Sequence, residues 1–410
     1  MVSLKTTSVS LNGTIGAGLC ALGLLAFASS AYAQNAATVY TMDAPKYQVP
    51  GGLTAQAAAT ETGYYDSNPL LLTTGERSLW GSITSPEFII GDKTPETTVA
   101  SDTIFTRNTF NQTNFDSNDV HSKLNLAQQN DKWATSFLGN VDYDTTRTSE
   151  LSVYNNLHTT PVRHLGESLN PQIAYSFLPT DKLSLLGNYS EAQYGNTVFT
   201  DYHSYSISPT YSHSFDERNL GFISLEAQRY QALDNGENIN DTVGPSIGWQ
   251  KTFTEQLSGK ASVGFQETRQ KTVTTPNPAW TAQYNYAGSL NFRGDQDLIS
   301  ANASRSEYPF GNGTEALLTQ LTLSETHALN PLFSLGAQGS YEFASYQASS
   351  AGSLQSLASG TGNVTYHMTD QVDLTATYEY EYETLIGNSN SAQKNIGLLS
   401  ISYHPTPWTL

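Results

Sequence analysis

The run Trp280-Thr281-Ala282-Gln283-Tyr284-Asn285-Tyr286-Ala287-Gly288-Ser289-Leu290-Asn291-Phe292 alternates between two kinds of side chain. Successive side chains on a strand point to opposite faces, so Trp280, Tyr284, Tyr286, Leu290 and Phe292 share one face while Thr281, Gln283, Asn285, Ser289 and Asn291 share the other. The same pattern returns in Tyr205, Ile207, Pro209, Tyr211, His213 and Phe215 against Ser204, Ser206, Ser208, Thr210, Ser212 and Ser214, and again from Phe333 to Phe343. Each run reaches the roughly 9–11 residues that a tilted strand needs to cross a bilayer, beyond the ~5–6 of an average soluble strand.

A large apolar residue precedes a short polar turn at Phe177, Phe215, Phe253, Phe292, Leu329 and Met368, with gaps of 38, 38, 39, 37 and 39 residues. So regular a period marks one repeated unit. Within each period lie two alternating segments, one tight turn and one longer polar loop, which is an antiparallel up-and-down meander. Short turns fall near residues 92–95, 130–132, 178–181, 216–219, 254–256, 294–296, 329–331 and 369–371. Eight turns join sixteen strands. A segment from Asn395 to His404 makes one more, and a stretch from Leu53 to Tyr65 another. Single-chain bacterial barrels have an even number of strands with both ends on the periplasmic side. The expected fold is therefore an all-β, transmembrane, up-and-down antiparallel β-barrel of about 18 strands, with 16 as the fallback.

Composition decides between a soluble sheet and a barrel with lipid outside and water within. Charged residues make up 14% of the chain, against about 25% in a soluble domain. Ser, Thr, Asn, Gln and Gly fill the polar face, which suits a lumen, and the apolar face ends in aromatics. Phe177, Phe215, Phe253 and Phe292 are the expected aromatic girdle. The mean hydropathy of −0.38 is the average of a lipid face and a wet face.

Near the start, Lys5 precedes an apolar stretch from Ile15 to Phe27, followed by Ala31-Tyr32-Ala33. This reads as a secretory signal peptide over residues 1–33. Cys20 lies inside it and is the only cysteine, so the mature chain holds no disulfide, thiolate metal site or cysteine nucleophile. Residues 34–52 have no clear period and read as a periplasmic extension, leaving 53–410 as the barrel. The longest connection, Thr148 to Leu169, either folds into the pore or stays mobile outside it.

The run Gly63-Tyr64-Tyr65-Asp66-Ser67-Asn68-Pro69-Leu70, followed by Ser85-Pro86-Glu87-Phe88 and the meander, resembles the β-barrel porin type 2 family of outer-membrane proteins. The likeness extends over nearly the whole mature chain. It implies an outer-membrane barrel, and in some members a part in exopolysaccharide export, for which residues 34–52 would dock a periplasmic partner. The final Trp408-Thr409-Leu410 departs from the usual barrel terminus in ending on Leu.

Charge guides what passes. With 19 basic and 37 acidic residues the chain carries a net charge of −18, which excludes nucleic acid as a partner. Glu379, Glu381 and Glu383 alternate with Tyr378, Tyr380 and Tyr382, placing three carboxylates on the inward face toward the exterior end. There they either favour cations at a pore mouth or form a solvated rim. Glu342 is a further inward candidate, and Lys182, Lys260 and Arg293 face inward near the periplasmic end. Tyr194 and Tyr202 flank an exterior loop.

No catalytic set emerges. Eight histidines are scattered singly, and no motif calls for a metal or a cofactor. Gly244-Pro245-Ser246-Ile247-Gly248 has the spacing of a nucleophile elbow but opens a membrane-length strand rather than a strand-to-helix turn. Asp234, Glu237 and Asp241 crowd one loop without calcium-loop spacing. Three functions stand: an outer-membrane, porin-like channel for small hydrophilic solutes, since about 16–18 strands enclose water; a component of exopolysaccharide export; and a structural or adhesive barrel with a plugged lumen. The partners expected outside the wall are outer-membrane lipid and lipopolysaccharide.

Overall fold

A computed structural model describes residues 52–149, 161–196, 199–233, 238–272, 274–276, 278–310, 313–346, 355–385 and 391–409. The expected signal peptide, all of the expected extension but Gly52, the middle of the longest connection, and Asp234 and Glu237 lie outside these residues.

Eighteen long strands follow one another: β1 (Thr54–Asp66), β2 (Leu79–Lys93), β3 (Thr97–Phe110), β4 (Ser117–Gln129), β5 (Trp133–Thr145), β6 (Arg163–Ser176), β7 (Asp181–Tyr194), β8 (Tyr202–Asp216), β9 (Asn219–Ala232), β10 (Ile239–Thr252), β11 (Leu257–Lys271), β12 (Thr281–Arg293), β13 (Asp297–Phe310), β14 (Thr314–Asn330), β15 (Phe333–Tyr346), β16 (Gln355–Thr369), β17 (Val372–Leu385) and β18 (Ser391–Tyr403). Each pairs antiparallel with the next, and β18 pairs with β1 from Ala59 opposite Tyr403 to Asp66 opposite Ile396, so the sheet closes on itself. After Pro405 and Pro407, a two-residue strand β19 (Trp408–Thr409) resumes the pairing with Ala55 and Thr54. Among the described residues no helix is long and apolar enough to cross a membrane. A closed barrel needs none, because its ladder satisfies the backbone between strands.

The two faces divide as the alternation predicts. In one register row Ile223, Ile247 and Val263 stand side by side, each more than half exposed on the outside of the wall. Aromatics bound this apolar band. Phe177, Phe215 and Phe253 are exposed at the short-turn end and Phe292 is partly exposed, while Tyr65, Trp80, Tyr143, Tyr205 and Trp280 are exposed near the other. Phe215 stacks on Trp249 with centroids 4.9 Å apart, and Phe333 on Tyr366 at 4.8 Å. A closed barrel with such a band is an outer-membrane protein. Its inner face carries cross-strand hydroxyl pairs, among them Ser224 with Ser246 at 2.6 Å, Ser340 with Ser359 at 2.7 Å and Thr62 with Ser400 at 2.8 Å.

Besides Pro309 near the end of β13, four prolines sit inside strands: Pro86, Pro171, Pro209 and Pro245. Each faces a residue of the preceding strand, while the ladder to the following strand skips it. Proline lacks the N–H that a full ladder would use. The last of these breaks contains the Gly-x-Ser-x-Gly match, now seen as the middle of β10. A Cβ on Gly244 would lie 2.2 Å from the Phe265 carbonyl oxygen, so close approach of β11 explains that glycine. The Ser246 hydroxyl is engaged by Ser224.

One expectation about the connections is corrected. The exterior loops are not uniformly long, since only residues 311–313 join β13 to β14.

The assignment of faces predicts an asymmetry. Ile247→Arg places a charge in the lipid band and is expected to cost about 2–4 kcal/mol, whereas Gln250→Arg, on the inner face, costs far less. Denaturant-dependent folding into phospholipid vesicles measures both.

Candidate functional site

The lumen is built from the inward positions of all eighteen strands, and its exterior half holds a buried acidic cluster. Glu379, Glu381 and Glu383 are 6%, 1% and 2% exposed, and Glu342 on β15 is 4% exposed. Alternation on β17 sends Tyr378, Tyr380 and Tyr382 outward and so sends the three carboxylates inward. The solvated-rim reading does not hold, because packing covers these groups. Lys394 on β18 stands opposite Glu381 in the register and its Nζ lies 2.8 Å from Glu381 Oε2. Asp66, buried at the end of β1, joins them across the seam and accepts a hydrogen bond from the Tyr64 hydroxyl at 2.9 Å. Gln320 Nε2 donates to Glu342 Oε1 at 2.8 Å. Glu342 Oε2 and Glu379 Oε1 have no hydrogen-bond partner among the described residues.

A second feature narrows the mouth. The β12–β13 ladder stops at Tyr286 opposite Arg305, leaving residues 281–285 of β12 without β13 beside them. Beyond that point the β13–β14 hairpin leans into the lumen. Its Glu315 carboxylate accepts hydrogen bonds from Gln228 Nε2 on β9 at 2.7 Å and Asn240 Nδ2 on β10 at 2.6 Å, both on the inner face. Asn238 Nδ2 donates to the Gly313 carbonyl at 3.3 Å. Glu307 accepts from Gln283 and from the Thr268 hydroxyl. Gly313 has φ +81°, a backbone conformation that favours glycine, and a Cβ there would press on the Thr200 hydroxyl at 3.2 Å.

Apolar side chains complete the narrowing. Leu79, Phe110 and Phe115 pack with Tyr64, Leu70 and Ile83. Nearby connections bring Val162, Ala192, Tyr194 and Phe199 together, with Tyr202 against them. Tyr194, at the edge of its exterior loop, is therefore buried, and Tyr202 packs on Tyr230 with tilted rings 5.2 Å apart. The longest connection begins with one helical turn, Thr146–Ser149, whose Arg147 guanidinium lies 5.0 Å from the Phe110 ring and 5.9 Å from the Tyr64 ring. Its described base thus leans inward.

At the periplasmic end, Lys182 and Lys260 occupy inward register positions, and the Lys260 ammonium lies 4.9 Å over the Phe222 ring. Arg293 ends β12 and is exposed. The structure keeps these cations apart from the acidic cluster. Asp241 is not part of a loop: it lies on β10, facing outward. Among the described residues no group of three or more His, Cys, Asp and Glu side chains is placed to hold a metal ion.

Sequence reasoning missed Asp66, Lys394, Glu307 and Glu315. Lys394 and Asp66 were legible in principle, since alternation on their strands places them inward. Glu307 and Glu315 were not, because their roles follow from a hairpin leaving the wall. Asp66 and Asn68, in the run from Gly63 to Leu70, have a structural role. Asp66 Oδ1 accepts the Asn68 N–H at 2.9 Å, and buried Asn68 exchanges hydrogen bonds with the Leu72 backbone and donates to the Gln393 carbonyl. The turn after β1 is thereby pinned to the closing strand.

No protein-family model and no curated protein matches the chain. Solved structures similar to it include the outer membrane protein OpdK from Pseudomonas aeruginosa, 12% identical with a TM-score of 0.47 over 86% of this chain and 99% of that one. OccAB3 from Acinetobacter baumannii is 10% identical with a TM-score of 0.46, over 87% and 99% of the two chains. The ferric citrate transporter FecA in its unliganded form is 12% identical with a TM-score of 0.46, over 86% and 64%. The barrel and its outer-membrane placement rest on the closed ladder and the two faces described above.

The Lys394–Glu381 pair yields a direct test. Lys394→Met leaves buried carboxylates uncompensated and is expected to cost about 3–5 kcal/mol. Adding Glu381→Gln restores much of the loss, as thermal unfolding in detergent would register.

Proposed function

We propose that this barrel conducts small hydrophilic solutes across the outer membrane and favours those bearing positive charge. The carrying observation is the inner-wall cluster of five carboxylates, Asp66, Glu342, Glu379, Glu381 and Glu383, with Lys394 paired to Glu381 and the Arg147 guanidinium beside Tyr64 as the cations among the described residues around it. Confined between low-dielectric walls, such a set lowers the energy of a cation in the lumen and raises that of an anion. The infolded hairpin sets the width of the exterior mouth. Toward the periplasmic end Lys182, Lys260 and Arg293 share the lumen with the inward Glu87 and Asp102, so the signs there are mixed and preference is exercised at the exterior half.

This reading has no catalytic step. Ser246, the one motif-borne nucleophile, lies in a strand interior. Kinship with the type 2 barrel porins would place the conduit beside exopolysaccharide export, with residues 34–52 docking a periplasmic partner; it is supported by the resemblance of residues 63–70 and 85–88. A barrel closed to solutes is the second reading, favoured by the bonds of Glu315 to the wall at β9 and β10.

Single-channel recording of the purified protein in planar bilayers under a KCl gradient tests both. The expected result is a reversal potential of cation-selective sign. It moves toward zero in Glu342→Gln with Glu379→Gln, and conductance rises in Glu307→Ala with Glu315→Ala, where the hairpin loses its hold. Silence in the wild type and in the hairpin variant together would sink the conduit and leave the closed barrel.

A further inference from the structure

The lipid-facing wall carries a feature that conduction does not use. On adjacent strands near the exterior end, Arg229 of β9 and Arg269 and Lys271 of β11 converge on one carboxylate, Asp241 of β10. Arg229 Nε lies 2.5 Å from Asp241 Oδ1, Arg269 Nη2 lies 2.8 Å from Oδ2, and Lys271 Nζ lies 3.0 Å from Oδ2. All four stand at outward positions, in step with the exposed Leu225, Val243 and Phe265 of their own strands. Glu267 is the other carboxylate on this face, two residues below Arg269. Among the described residues of this face, three cations therefore meet two carboxylates, on a chain whose overall charge is −18.

Outward charge next to the lipid band is costly unless something of opposite sign meets it. The three cations are 42%, 30% and 27% exposed at their side chains, and Arg269 Nε, though buried, has no hydrogen-bond partner among the described residues. The surface beneath them is not flat. A groove of about 410 Å³ runs over Tyr205, Ile207, Ala227, Val243 and Trp280 with Arg229, Asp241 and Arg269 at its head. The Arg269 guanidinium lies 4.5 Å over the Trp280 ring, which holds the head of the groove in place. Moving along each strand toward the middle of the membrane, Arg229 gives way to Ala227, Asp241 to Val243 and Tyr205 to Ile207.

Cations above and an apolar trough below match one class of ligand, an amphiphile with a phosphorylated head and acyl chains. We propose that this groove binds the phosphate-bearing headgroup of an outer-leaflet glycolipid, with Arg229, Arg269 and Lys271 on the phosphate and an acyl chain along Ala227, Val243 and Ile207. Asp241 holds the cations in a fork while the site is empty of lipid and leaves them an excess of positive charge. Phosphate near membrane-surface Lys and Arg is attracted by each of them in turn.

The test is native mass spectrometry of the full chain in detergent, titrated with bisphosphorylated lipid A, with its fully dephosphorylated counterpart, and with inorganic phosphate as competitor. Binding of the bisphosphorylated lipid is expected to weaken at least tenfold in Arg229→Gln/Arg269→Gln/Lys271→Gln, with the strand signal in circular dichroism unchanged. Arg229→Gln alone, should the triple variant fail to fold, weakens it severalfold. Asp241→Asn, which frees the cations, binds at least as tightly as wild type. Equal binding of the dephosphorylated lipid, or wild-type affinity in the arginine and lysine variants, overturns the proposal. Complete displacement by millimolar inorganic phosphate would overturn the lipid assignment and leave a site for the free anion.

Discussion

The rule that no backbone polar group is left bare in hydrocarbon governs this molecule. It forces the sheet to close, and the bonds from residues 59–66 of β1 to residues 396–403 of β18 discharge it where the two ends of the meander meet. Once the sheet is closed, every strand residue must face either lipid or lumen, and parity becomes a coordinate. Outward positions collect Ile, Leu, Val and aromatic residues, and inward positions collect hydroxyls, amides and the acidic cluster. The three glutamates of β17 and the basic fork around Asp241 are the same alternation read on opposite sides of one wall. Asn68 guards the seam from above by tying the first turn to β18.

Much of this was legible in the sequence because the alternation and the 38-residue period are properties of single strands and hairpins. The short turns, the eighteen strands, the outward Phe177, Phe215 and Phe253 and the inward Glu379, Glu381 and Glu383 all follow from counting by twos. What escaped depends on contacts between distant parts of the chain. Burial of the glutamates comes from Lys394 and the packing around them, not from β17 itself. The lean of the β13–β14 hairpin is set by Glu315 finding Gln228 and Asn240 some 75 to 87 residues away. Tyr194 flanks an exterior loop in the sequence, yet Val162 and Phe199 pack against it. Asp241 was grouped by proximity with a loop it does not share, because strand β10 begins earlier than its polar composition suggests.

The lumen is uneven along its length. Its exterior half is crowded, acidic and partly apolar, with the infolded hairpin, Phe110, Phe115 and Phe199 narrowing it. Its periplasmic half carries separated cations, the inward Glu87 and Asp102, and hydroxyl pairs. A solute entering from outside therefore meets size and charge discrimination together, in the region where the lining is most firmly held by hydrogen bonds to the wall.

The prolines at 86, 171, 209 and 245 give the cylinder a mechanical grain. Each strand that carries one keeps its grip on the neighbour before it and loosens its grip on the neighbour after it, so slackness falls at four seams around one half of the circumference while the β14–β18 side stays fully laced apart from small offsets beside its turns. Under lateral pressure from the bilayer such a tube yields along those seams and at the open end of the β12–β13 seam before it yields on the laced side. The shape of its bore is thus fixed by missing amide hydrogens as well as by the bonds that are present.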